Sequence, residues 1–175
     1  MRRHGTYAAA SLVGLSLLSL TAWSQVSTLT SAEAATSVDL ISRADALRLV
    51  SASLEYCERQ GEKAAAYVTD ANGNLRAALS SDGLKPIGLR SVPLKTAAVL
   101  QFRASTKILA DRLKTDPNFA AEYANDPRYL FHPGAMPIYR AGKFVAVLAV
   151  GGGHDKDESC ALAALKRLSW ATTIP

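Results

Sequence analysis

A chain of 175 residues with 20 Lys and Arg against 15 Asp and Glu carries a net charge of +5, enough length for one ordinary domain and only a mild basic excess. No Lys/Arg run is interleaved with aromatics, so nucleic acid is excluded as a partner, because its binders show a clustered basic face. The excess still leaves cations available for a ligand that bears carboxylates.

The chain opens on Arg2, Arg3 and His4, continues through an uncharged apolar run, Ala8–Leu20, and reaches a small-residue site at Ala32-Glu33-Ala34. This pattern predicts a secretory signal peptide over residues 1–34, cleaved before Ala35, and an exported domain over 35–175, periplasmic or extracellular. The apolar run falls short of the about 20 residues that a membrane span needs, although an uncleaved anchor is the alternative. Arg2-Arg3 by itself is a weak twin-arginine signal. Cys57 and Cys160 form an even pair, which an oxidising compartment allows to bridge. Two buried thiols in helices are the other reading, and their spacing fits neither a CxxC centre nor a zinc site.

Residues 36–40 read as a lead-in. Ser42 can cap a helix whose stripe is Ala46, Leu49, Val50, Ser53, Leu54 and Cys57, stopped at Gly61. Ala64–Thr69 reads as a strand and Leu75–Leu79 as its return, joined through Asn72-Gly73, a turn expected to place both central residues at positive φ. Residues 84–92 read as a loop, and Pro93 as the first turn of a helix carrying Leu94, Ala97, Ala98, Leu100 and Gln101. Thr106–Leu113 is a second helical piece with Lys107, Asp111, Arg112 and Lys114 outward, and a short polar helix follows around Phe119–Ala124. A second hairpin runs from Pro133 to Val150, then the glycines 151–153, then a last helix from Asp155 to about Leu168 with Ala161, Leu165 and Leu168 inward.

Two hairpins among helices predict an α+β fold on an antiparallel sheet, since these helices cannot all be crossovers of a parallel one. If the first and last helices lie antiparallel on one face, Cys57 comes near Cys160.

Gly151-Gly152-Gly153 before a helix suggests a phosphate site. There is no GxxxxGK[ST] pattern, however, and Asp155, Asp157 and Glu158 at the helix start repel an anion. Asp155 with Glu158 is expected to form a variant of the capping box. The glycines then turn the chain sharply or admit a flat ligand close to the backbone. Beside them stands His154, which can be an iron ligand, a metal ligand with Asp155 or Asp157, or a surface residue. His132, before Pro133, is the other histidine left after removal of the leader, so a three-histidine metal site is excluded. Met136 and Tyr139 are of types that ligate haem iron, or else alternating, partly buried strand positions. Catalytic patterns are absent: there is no G-x-S-x-G, Ser159, His154 and Asp157 lie too close in sequence for a triad, and no carboxylate pair stands out.

Taken in order, these motifs resemble the GlcG/HbpS-like haem-binding family. Tyr67–Leu75 is similar to its "VVDxxGxL" hairpin, Asp82-Gly83 to the following "DG", and Lys95 to the start of its "KAxTA" helix. Pro133–Ile138 resembles "PGGxPI", Gly142 falls in its turn, and Asp157-Glu158 resembles the "DE" that opens its last helix. The match runs from about Ser42 to Leu168. It implies a profilin-like antiparallel sheet with helices packed on both faces, a single domain over 35–175, assembly into homo-oligomers, and haem as ligand of the exported members. On that reading the protein is an exported haem-binding protein in haem or iron handling or sensing. His154 or His132 would meet the iron with Met136 nearby, and Lys95, Arg103 and Lys107 would meet the propionates through charge-assisted bonds, unless they form a solvated helix face. The alternative is a non-enzymatic module without haem that binds another small molecule or docks to a membrane receptor. A small enzyme acting on an organic acid ranks last, for want of a nucleophile or base. The chain departs from the family at Ala98, where a Thr is usual, at Ala135, and at Ala146 and Ala149, each expected to add a methyl near a ligand-facing backbone or to remove a ligand-side hydroxyl.

Overall fold

The computed structural model describes residues 40–174; the predicted signal peptide lies outside them. No described helix is long and apolar enough to cross a membrane.

Helix α1 spans Arg43–Arg59 and starts as its sequence requires, with the Ser42 hydroxyl accepting from the Asp45 N–H at 3.0 Å. Its predicted stripe is buried, and Gly61 leaves the helix at φ +79. Strands β1 (Ala65–Asp70) and β2 (Leu75–Ser80) form the first hairpin. Its turn differs from the Asn-Gly expectation. Gly73 alone takes positive φ, its N–H bonds the Asp70 carbonyl at 3.0 Å, and the register slips between Val68 and Thr69. The result is a three-residue loop with a glycine bulge. Asp70 explains the difference: its carboxylate accepts from the N–H groups of Asn72 and Asn74 at 2.9 and 3.0 Å, and holds the loop open by one residue.

Helix α2 runs Pro86–Phe102, so most of the segment expected to be a loop is helix. Pro86, not Pro93, takes the first turn, where a missing N–H leaves nothing unsatisfied. Pro93 sits in the interior and forfeits a bond to Leu89, a cost of about 3 kcal/mol in an isolated helix. The helix persists because Val92 and Val99, both fully buried, pack on the sheet. Helices α3 (Thr106–Thr115) and α4 (Pro117–Tyr123) follow, capped by Ser105 and Asp116.

Strands β3 (Ala135–Arg140) and β4 (Lys143–Gly151) make the second hairpin. Here the two-residue turn with both central residues at positive φ does occur, at Ala141 (φ 48) and Gly142 (φ 79). After β4 comes a 3-10 turn at His154–Lys156, and then α5, Asp157–Leu165, which starts later than the expected Asp155.

The four strands lie in the order β2-β1-β4-β3, every neighbouring pair antiparallel. β4 is buried on both faces. Ala146, Leu148 and Val150 meet Leu49, Val50, Ala161 and Ala164 of α1 and α5, while Val147 and Ala149 meet Val92 and Val99 of α2. The fold is α+β with helices on both faces, as the sequence predicts. Cys57 of α1 and Cys160 of α5 are joined in a disulfide, both fully buried, across a separation of 103 residues. On chain-entropy grounds a loop of that size confers about 4–5 kcal/mol.

Candidate functional site

The end of β4 and the first turns of α2 meet where neither carries a side chain. A Cβ on Gly88 would lie 2.9 Å from the Gly152 Cα and 2.9 Å from Leu84 Cδ1. Gly152 itself is at φ +103, a conformation that favours glycine. The triple glycine therefore lets a helix ride on the end of a strand, and the loops around that contact enclose a cleft of about 580 Å³. That size falls within the about 300–1,000 Å³ usual for small-molecule sites. Leu84, Ile87 and Leu130 are among its apolar lining, and Glu62, Lys63, Lys85, His132 and His154 are among its polar lining.

The floor of the cleft is ionic. Lys95, on α2, is 1% exposed and Asp157, at the start of α5, is 2% exposed; Lys95 Nζ lies 2.6 Å from Asp157 Oδ2. The other two Nζ protons go to the carbonyls of Pro133 at 2.9 Å and Val150 at 3.0 Å, so the ammonium is saturated. Asp157 Oδ1 accepts from the Gly153 N–H at 2.7 Å. Burial pushes the Lys95 pKa down from its ordinary value, while the charge and hydrogen bond of Asp157 oppose that shift. Two expectations change as a result. The expected Asp155–Glu158 capping box does not form, because Asp157 reaches back to the turn instead. Lys95 has no proton left to offer a propionate.

His132 and His154 line this same cleft from two loops. Both are exposed. His132 Nδ1 lies 3.3 Å from the Pro133 carbonyl. The carbonyl accepts from Nδ1 in the tautomer that carries its proton there, and that tautomer offers Nε2 to a metal, as metal-bound histidines do. His154 stands at φ 49, a left-handed conformation that costs a non-glycine residue about 1–2 kcal/mol, and such strain gathers at ligand sites.

The remaining predicted residues lie elsewhere. Met136 is 2% exposed in the core on the face of the sheet that α1 and α5 cover. Tyr139 is buried, with its hydroxyl bonded to the Arg103 carbonyl at 3.2 Å, and the Arg103 guanidinium lies 3.8 Å over the Phe144 ring. Lys107 is exposed and paired with Asp111 at 3.0 Å. The departures from the family pattern also leave the cleft untouched: Ala98 packs on Leu109 and Phe119, Ala135 and Ala149 face α2, and Ala146 lies on the face covered by α1 and α5.

Sequence reasoning missed the two lysines of the rim. Lys63 and Lys85 are exposed and have no acidic partner among the described residues. The one available signal was position: each flanks a glycine turn, at Gly61 and Gly83, that shapes the cleft.

Known structures share this architecture. A crystal structure of HbpS is 30% identical over 74% of this chain and 91% of its own, with a TM-score of 0.65. A double glutamate-to-aspartate mutant of Streptomyces reticuli HbpS is 26% identical over 94% of this chain and 99% of its own, also at 0.65. A PduOC:heme complex, 18% identical over 78% and 99%, superposes at 0.70 and shows the fold alone. None of the curated proteins compared matches the chain. The family model described as "Haem degrading protein HbpS-like" matches residues 41–166, and the chain accordingly belongs to the HbpS-like family.

Proposed function

We propose that the cleft binds haem, with His132 and His154 as the candidate iron ligands and Lys63 and Lys85 as the cations that meet the propionates. The observation that carries the reading is the convergence of two exposed histidines on one cleft with an apolar lining. The donor set fits the group: imidazole is an iron ligand, and the two exposed histidines line a cleft of about 580 Å³. Haem would supply the iron-centred redox chemistry; the chain binds it, orients it and excludes water. The family description and the haem complex of PduOC support the same ligand.

Export to an oxidising compartment, for haem or iron handling or sensing, is part of the proposal. The basic, apolar and small-residue order of residues 1–34 supports it, as does the Cys57–Cys160 disulfide. Homo-oligomerisation is supported by β2, an edge strand on which Leu75 and Leu79 are 57% and 42% exposed; light scattering on the purified domain tests it.

Titration of the purified mature protein with haemin tests the function. A saturable Soret shift at micromolar haemin is expected, weakened in His132→Ala and in His154→Ala. Absence of saturation in the wild type overturns the reading. Saturation unchanged in both variants removes these two residues as ligands.

A further inference from the structure

We propose that the Lys95–Asp157 ion pair is the positioning element of the cleft, one buried brace that fixes the His132 loop and the His154 loop relative to each other. The inference rests on the haem reading for its ligand, while the brace itself can be tested without haem.

The two histidines lie far apart in sequence, yet each loop is a single hydrogen bond from the same pair. On one side, Lys95 Nζ holds the Pro133 carbonyl, the atom that His132 Nδ1 also contacts. On the other, Asp157 Oδ1 holds the N–H of Gly153, the residue before His154. The third Nζ proton ties the brace to Val150 at the end of β4.

The surrounding backbone is shaped for this pair. A Cβ on Gly134 would lie 2.6 Å from Asp157 Cβ and 2.9 Å from Lys95 Nζ, and one on Gly153 would lie 3.1 Å from Asp157 Oδ1. Stability alone does not require charges here, since a well-packed apolar pair commonly does as well as a buried ion pair or better. What an apolar pair cannot supply is a set of directed bonds to two separate loops. Saturation of Lys95 also excludes it from direct ligand contact and leaves it the positioning role.

The test compares two double variants. Lys95→Met/Asp157→Leu removes the directed bonds; Lys95→Gln/Asp157→Asn keeps neutral donors and acceptors of similar size. In the ligand-free proteins, amide exchange of segments 131–134 and 152–155 should quicken by about tenfold or more in the apolar pair and stay within about threefold of wild type in the neutral pair, with β1 unchanged in both. With haemin, the apolar pair should lose the wild-type Soret position and spin state, and the neutral pair should retain them. A folded apolar pair whose two loops exchange as in wild type overturns the brace. If the apolar pair does not fold, the wild-type protein decides: the Lys95 ammonium protons and the Gly153 amide must exchange at the rate of the two loops' opening, and loops that open independently of them overturn the proposal. A wild-type protein that fails to bind haemin removes the haem reading, and the exchange result alone then decides the brace.

Discussion

Beneath the cleft, Lys95 and Asp157 are almost wholly buried, and the three ammonium protons each have an acceptor. At the rim, a few residues away along the same loops, His132, His154, Lys63 and Lys85 stand exposed, and His154 holds a strained backbone conformation. A buried, saturated group has no capacity left for a ligand, whereas an exposed group has its lone pair or protons free and contributes little to folding. The floor should therefore hold the fold and the two loops in place while the rim contacts the ligand, so rim substitutions should weaken binding without a loss of stability.

The largest effect is expected at the floor. Lys95→Met leaves Asp157 charged and unpaired in the interior and should cost about 3–5 kcal/mol, read as a lowered denaturation midpoint. Replacing both members should cost much less, and an equal loss in single and double variants would show that packing rather than charge governs the floor. Cys57→Ser/Cys160→Ser should cost about 2–5 kcal/mol by the same measurement while leaving haemin affinity near that of wild type. A smaller loss, about 1–3 kcal/mol, is expected for Gly88→Ala, whose new methyl meets Gly152 and Leu84.

Acid should act away from both regions, at Asp70. Burial raises its pKa, but the hydrogen bonds from Asn74 and Asn72 outweigh burial and hold it below 3.8. Asp70 thus contributes stability that is fully present above the unfolded value and is lost as pH falls through the folded one. Asp70→Ala should flatten the acid limb of a stability-against-pH curve below about pH 4. The smallest effect has the opposite sign. His154→Gly should raise stability by about 1 kcal/mol, by relieving the left-handed strain, while weakening haemin binding. A stability loss there would place His154 among the structural residues.

The same contrast explains what the sequence made legible. Periodicity and caps give α1 with its Ser42 cap, both hairpins and the face shared by Cys57 and Cys160, because these depend on neighbours in sequence. Helix α2 was placed too late because Pro86 and Pro93 are both locally acceptable starts, and only packing of Val92 and Val99 on the sheet tolerates the second inside a helix. Turn chemistry misplaced the two-residue turn at Asn72-Gly73, since the Asp70 carboxylate intervenes there, while Ala141-Gly142 gives no comparable signal. His132 and His154 were legible as residue types beside glycines. The role of Lys95 was not, because its three acceptors come from three distant segments and no local pattern marks them.

Haemin titration of the His132→Ala/His154→Ala double variant beside wild type, with thermal denaturation of both, tests the central claim most directly. A saturable wild-type Soret shift that the double variant loses at an unchanged melting temperature is the result predicted. Wild-type protein that does not saturate, or a double variant that binds haemin as wild type does, would contradict it.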